Sequence, residues 1–191
     1  MSGMDALVKE QRKWLGCQFL GVVRRALRRE PAEASQFFSL DPSTLYVLQT
    51  IPREQLPQLC GTGLPYQFKG LAWHLQSEMA QGPKENPGDL VGWKREAFEL
   101  CVDHFWMLQS WCHKDLGLAA LLGGIRCHST VQAIAGLHPA ALKRLATAMY
   151  TQMVFDQSQC VQLALLFADA SASADRIAVA RAGCRVAGAE A

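Results

Sequence analysis

The chain has little excess charge of either sign. Its 191 residues carry 19 Lys and Arg against 17 Asp and Glu, a formal net charge of +2. That balance excludes a nucleic-acid binder that works by bulk charge alone and leaves local patches to be judged separately. No apolar run approaches the ~20 residues that a membrane helix needs, because charges or glycines interrupt every long one. There is no Gly-x-Ser-x-Gly, Walker loop or dinucleotide fingerprint. Cys112 and His113 are neighbours and point to different sides of a helix, so nucleophilic catalysis is unsupported and the reading is non-enzymatic, with no cofactor. None of the seven cysteines is spaced Cys-x-x-Cys, and the opening Met1–Asp5 lacks a basic segment followed by an apolar one. Reduced, mostly buried thiols in a cytoplasmic protein are the expectation. No strand-rich segment occurs; only Phe68 and Val154-Phe155 are candidates for very short paired strands.

What is present is helical. Half the residues are apolar, enough to bury a core. Leu7, Trp14, Leu15, Phe19, Val22, Val23, Ala26 and Leu27 recur at three- and four-residue spacing and predict a long amphipathic helix from Ala6 to Arg29. Ala32 to Phe38 predicts a short helical turn. Asp41 or Ser43 caps a helix to about Thr50, and Pro52 opens another over Arg53 to Cys60. Leu64 to Phe68 reads as extended, and Gly70 to Ala80 as helix. The stretch Gln81 to Gly88 is a linker. Beyond it, a helix over Leu90 to Asp115 carries Phe98, Cys101, Val102, Phe105, Trp106, Leu108 and Trp111 on one stripe. An apolar stretch, Leu116 to Leu122, follows it. Ser129 caps a short helix, Pro139 turns the chain, and Ala140 to Met149 forms its partner. Met153 to Phe155 reads as extended and Ser158 to Asp169 as a last helix. The Ala-rich tail from 170 to 191 is expected to fray.

The same unit occurs twice. Ser43-Thr44-Leu45 and Ser129-Thr130-Val131 are separated by 129 − 43 = 86 positions. In that register Leu48 meets Ile134, Ile51 meets Leu137, Leu56 meets Leu142, Glu10 meets Glu96 and Phe19 meets Phe105. The expected organisation is a first repeat over 1–81, a linker over 82–89, a second repeat over 90–169 and the tail. Two such copies predict an all-α pseudo-dimer within one chain.

Several groups are candidates for contact. Arg24, Arg25, Arg28 and Arg29 form like-charge i, i+4 pairs at a helix end, where the macrodipole favours them. They are a phosphate-binding patch or a solvated face helped by Glu30 and Glu33. Each copy holds a helix pair resembling a helix-turn-helix, with Arg53 in one and Lys143, Arg144 and Thr147 in the other on the second helix. Groove insertion and plain packing both remain open. Trp14, Phe19, Trp106 and Trp111 are candidate interface anchors. Cys101, His104, Cys112, His113, Cys127 and His128 cluster in sequence, and zinc is the alternative to ordinary buried thiols.

Gln18-Phe19-Leu20-Gly21-Val22-Val23-Arg24-Arg25-Ala26-Leu27, then Ser43 to Leu48, then Gln55-Leu56-Pro57-Gln58-Leu59-Cys60, resembles the flagellar transcriptional regulator FlhD family. The second copy resembles it through Thr130-Val131-Gln132-Ala133-Ile134 and Leu142-Lys143-Arg144-Leu145-Ala146. The resemblance implies an all-α subunit that dimerises and works with a zinc-containing FlhC-like partner on promoter DNA. A tandem form resembles activators of transfer genes on mobile elements. The family's intersubunit cysteine falls near Tyr66 or Gln67 and near Met153, none of which is cysteine, and the zinc cysteines of the partner are absent. An adaptor or anti-activator that never meets DNA, or a homo-oligomer, is the alternative.

Overall fold

Apolar residues on one side of a long first segment, and a proline just past its end, set where the fold begins. The protein is described from a computed structural model covering residues 3–50, 52, 60, 64–78, 87–123, 125 and 127–156. Helix α1 spans Gly3–Arg29 and buries Val8, Leu15, Phe19, Val22, Val23 and Ala26. It stops because Pro31 has no N–H to continue the ladder, and the same proline suits the first turn of α2, Pro31–Phe37. Ser39, at φ 52°, turns the chain out of α2. Asp41 then opens α3, Pro42–Thr50: its carboxylate accepts from the Thr44 amide at 2.7 Å and from the Ser43 and Thr44 hydroxyls. Burial raises the Asp41 pKa, but these donors outweigh it and hold it below its ordinary value.

Strand β1, Tyr66–Phe68, leads into α4, Leu71–Glu78. A 3-10 turn at Pro87–Asp89 precedes α5, Gly92–Cys112. Then come α6 (Leu116–Gly123), α7 (His128–Ala135) and α8 (Pro139–Met149). A 3-10 turn, Tyr150–Gln152, ends in β2, Met153–Phe155. The described residues are therefore predominantly helical, with one two-stranded sheet. No helix among them is long and apolar enough to cross a membrane.

Helix α5 is the hub, packing against α1, α6, α7 and α8, while α4 lies on α7 and α8. Helices α1 and α5 run antiparallel. Arg25 meets Glu96 near one end, and Gln11 accepts from the Trp111 indole at 2.7 Å near the other. The strands pair antiparallel, with Tyr66 opposite Phe155, Gln67 opposite Val154 and Phe68 opposite Met153. Two flanking bonds extend the ladder, Lys69 N–H to Gln152 C=O at 3.0 Å and Asp156 N–H to Pro65 C=O at 2.9 Å. One apolar core draws on residues from both sides of the linker. Its rings interlock: Phe19 touches Phe38, Tyr66 and Phe155, and Phe68 touches Phe105. Each buried aromatic contributes about 1.5–3 kcal/mol through removal from water.

Details of the sequence reading change. Leu7, Trp14 and Trp106, placed on the apolar stripes of their helices, face outward at 50%, 41% and 44% exposure. They share the outer arcs of their helices with Glu10, Gln18 and Asp103, and Val8 fills the inward place beside Leu7. Ser129 is not the cap of α7. Cys127 occupies that position, without a capping bond from its side chain, and Ser129 lies inside the first turn. The segments expected as helices over 53–60 and 158–169, and the tail, lie outside the described residues, apart from Cys60 itself.

Candidate nucleic-acid and partner interface

The end of α1 gathers the densest basic cluster of the sequence, and α5 partly neutralises it. Arg25 donates from Nε at 2.7 Å and from Nη2 at 2.6 Å to Glu96 Oε2. Both side chains are more than a third exposed, so the pair contributes at most about 1 kcal/mol and chiefly fixes where the guanidinium lies. Arg24 is half-buried. With Leu27, Arg28, Leu48 and Gln49 it lines a small cleft of about 120 Å³ between α1 and α3. Arg28 and Arg29 are exposed and form no ion pair among the described residues. Arg29 reaches the start of α5, where a β-carbon on Gly92 would sit 3.5 Å from its Nη1.

The nearby acids, Glu30 and Glu33, are engaged by α5. Glu30 Oε2 accepts from the Trp93 indole at 2.7 Å, and Glu33 accepts from Lys94, which holds its carboxyl below the ordinary value. The cations left open at this end of α1 are therefore Arg28 and Arg29.

The second basic cluster is thinner than the sequence implies. On α8, Lys143 is exposed and Arg144 half-buried. Thr147, expected on the polar face, is buried and donates to the Lys143 carbonyl at 2.9 Å. Helix α8 packs on both α5 and α4. Its outer surface among the described side chains narrows to Pro139, Ala140 and Lys143. Helices α1 and α8 have no extensive mutual contact, so the two basic clusters are not assembled on one element pair. Arg53 lies outside the described residues.

Of the four candidate anchors, Trp14 and Trp106 are exposed, whereas Phe19 and Trp111 are 0% and 1% exposed. The latter two are corrected to core residues. They are large and apolar, but they are spent on joining the two halves of the chain and offer no surface to a separate partner.

The Cys and His residues do not converge. Among the described residues no group of three or more His, Cys, Asp or Glu side chains could hold a metal ion. His104 is buried with its Nδ1 2.8 Å from the Tyr66 hydroxyl. Burial keeps Tyr66 protonated, and whether its hydroxyl donates to Nδ1 or accepts from it is set by which ring nitrogen, Nδ1 or Nε2, carries the imidazole proton. That Nε2 is buried without a hydrogen-bond partner among the described residues. Burial lowers the His104 pKa to about 3 and raises the Cys101 and Cys112 thiols.

Cys127 is different: the sequence places it in the Cys and His cluster but does not single out its thiol. It is exposed, and the Ser129 hydroxyl, 2.9 Å from Sγ, together with the first-turn groups of α7, lowers its pKa to about 7. A cysteine immediately before a helix, two residues from a serine, is the signal that marks it. At pH 7 iodoacetamide should modify Cys127 roughly tenfold or more faster than Cys101 or Cys112. Peptide mass spectrometry along a time course measures this, and equal rates at the three sites would refute it.

The chain matches no protein-family model, no curated protein and no solved structure.

Proposed function

We propose that this chain is a tandem FlhD-like subunit, a pseudo-dimer in one polypeptide, that activates transcription together with a zinc-containing FlhC-like partner on promoter DNA. The observation that carries the reading is an exchange relation in the strand pair. Gln67 lies opposite Val154, 154 − 67 = 87 positions later. The same offset exchanges the flanking bonds, turning Lys69 to Gln152 into Asp156 to Pro65. Antiparallel strands related in this way fit a local twofold axis through Gln67 and Val154, as a dimer of identical chains has. The long helices fit it too. The Arg25–Glu96 contact becomes Trp111–Glu10 at the sequence offset of 86, and the observed mate is Trp111–Gln11, one residue away. Element order agrees, with α1, α2, α3 and β1 answered by α5, α6, α7 and β2.

On this reading the chain is a scaffold. Its paired helices supply a dimer-like platform, Arg28 and Arg29 touch phosphate, Trp14 and Trp106 anchor the partner, and base reading falls to that partner. The regulated genes are transfer functions of a mobile element, and the protein acts in the cytoplasm. The DNA contact is tested with Arg28→Glu/Arg29→Glu, because reversing Arg25 would also break its pair with Glu96. Promoter binding by the complex should weaken roughly tenfold, and the log–log salt slope should become shallower by about 2. Unchanged affinity and slope would remove α1 from the DNA. The neutralisation of Arg25 by Glu96 favours a second reading, a protein-interaction adaptor without DNA contact, and that result would select it.

A further inference from the structure

We propose that Cys17 and Cys60 are a reversible dithiol–disulfide pair that ties α1 to the segment entering β1. Both are free thiols, and Cys60 seats against α1 at Gly16, the neighbour of Cys17, within electrostatic reach of the Cys17 thiol. The approach depends on the residue beside Cys17. A β-carbon on Gly16 would lie 2.9 Å from Cys60 Sγ and 3.0 Å from its Cβ, so only glycine lets Cys60 seat this close to the helix. The two thiols differ in access. Cys60 is 1% exposed, whereas Cys17 is half-buried at the edge of the core, where a small oxidant reaches it. Pairs of this kind, one reachable thiol and one resolving thiol, carry reversible oxidation where most thiols stay reduced.

The oxidant class is a low-molecular-weight disulfide such as glutathione disulfide. The Cys17 thiolate attacks one glutathione sulfur, and the first glutathione thiolate leaves. Cys60 gives its proton to solvent and attacks the Cys17 sulfur, and the second glutathione thiolate leaves. Two protein thiols are oxidised to one disulfide, and one glutathione disulfide is reduced to two thiols. Burial and the neighbouring Cys17 thiol both raise the pKa of Cys60, which makes the second step the slow one. The bond would fasten the first helix to the chain just ahead of the strand that pairs with β2.

The test equilibrates the full chain with glutathione and glutathione disulfide in varied ratio at mildly alkaline pH. Acid quenches the exchange, N-ethylmaleimide blocks free thiols, and an unreduced digest is mapped by mass spectrometry. The expected product has lost two hydrogen atoms, contains a linked Cys17–Cys60 peptide, and reverts with dithiothreitol. Cys17→Ser, at the more accessible position, should abolish that peptide while leaving the far-UV circular dichroism unchanged. Cys60→Ser should also abolish it, but Cys17→Ser decides the matter if the core variant misfolds. Recovery of Cys17 and Cys60 as maleimide adducts or glutathione mixed disulfides in the most oxidising mixture would overturn the proposal. So would a Cys60–Cys101 link in place of Cys17–Cys60.

Discussion

Replacing Phe19 with alanine should destabilise the chain by about 3–5 kcal/mol and should do so across both halves at once. Phe19 is fully buried, with its ring centroid 4.6 Å from Tyr66, 5.6 Å from Phe38 and 6.1 Å from Phe155. Two of those partners precede the linker and one follows it. Removing the ring opens a cavity at a junction of α1 and the strand pair, where backbone hydrogen bonds on several sides limit collapse. Urea denaturation read by circular dichroism and by tryptophan fluorescence measures the change. The two probes should give one coincident transition, because one core serves both halves. Phe19→Leu, which keeps most of the volume, should cost less than about 1.5 kcal/mol. Two separate transitions, or an alanine cost below about 1 kcal/mol, would show that the halves fold independently.

The second large effect is a dependence on pH. In the folded chain burial lowers the His104 pKa to about 3. In the unfolded chain the imidazole protonates at about 6.5. Between those values the unfolded state binds the extra proton, so stability falls as pH falls. Each pH unit in that window removes about 1.4 kcal/mol, reaching roughly 4–5 kcal/mol near pH 3. Above about 6.5 both states are neutral at this site and His104 contributes no slope. Carboxylates titrate in the same window, so the decisive quantity is the difference between the chain and His104→Gln. The variant keeps a polar partner for the Tyr66 hydroxyl and cannot protonate. Its stability should fall less steeply from pH 6.5 to 4, and parallel profiles would contradict the assignment.

Much of the helical frame was legible in the sequence because one face of each long helix carries the core. The three- and four-residue spacing that locates α1 and α5 is the spacing of Leu15, Phe19, Val22, Ala26 and of Phe98, Cys101, Phe105, Leu108, all buried. The short strands were legible from the residues at 68, 154 and 155, which do pair through 66–68 and 153–155. What local pattern does not carry is partnership at a distance. Four arginines read as one patch because Glu96, 71 residues from Arg25, cannot be seen to neutralise it. Apolar residues spread over a wide arc of α1 do not reveal which edge turns outward, so Phe19 and Trp14 look equivalent although one is buried and the other exposed. The Cys101–His104 spacing puts both on one helical face, but it is the Tyr66 hydroxyl from a separate strand that meets the imidazole.

Light scattering on the purified chain, alone and co-expressed with the proposed FlhC-like partner, tests the central claim most directly. A pseudo-dimer built into one polypeptide predicts a lone monomer of 21.0 kDa and one defined, larger complex when the partner is present. A chain that pairs with itself and ignores that partner would contradict the account.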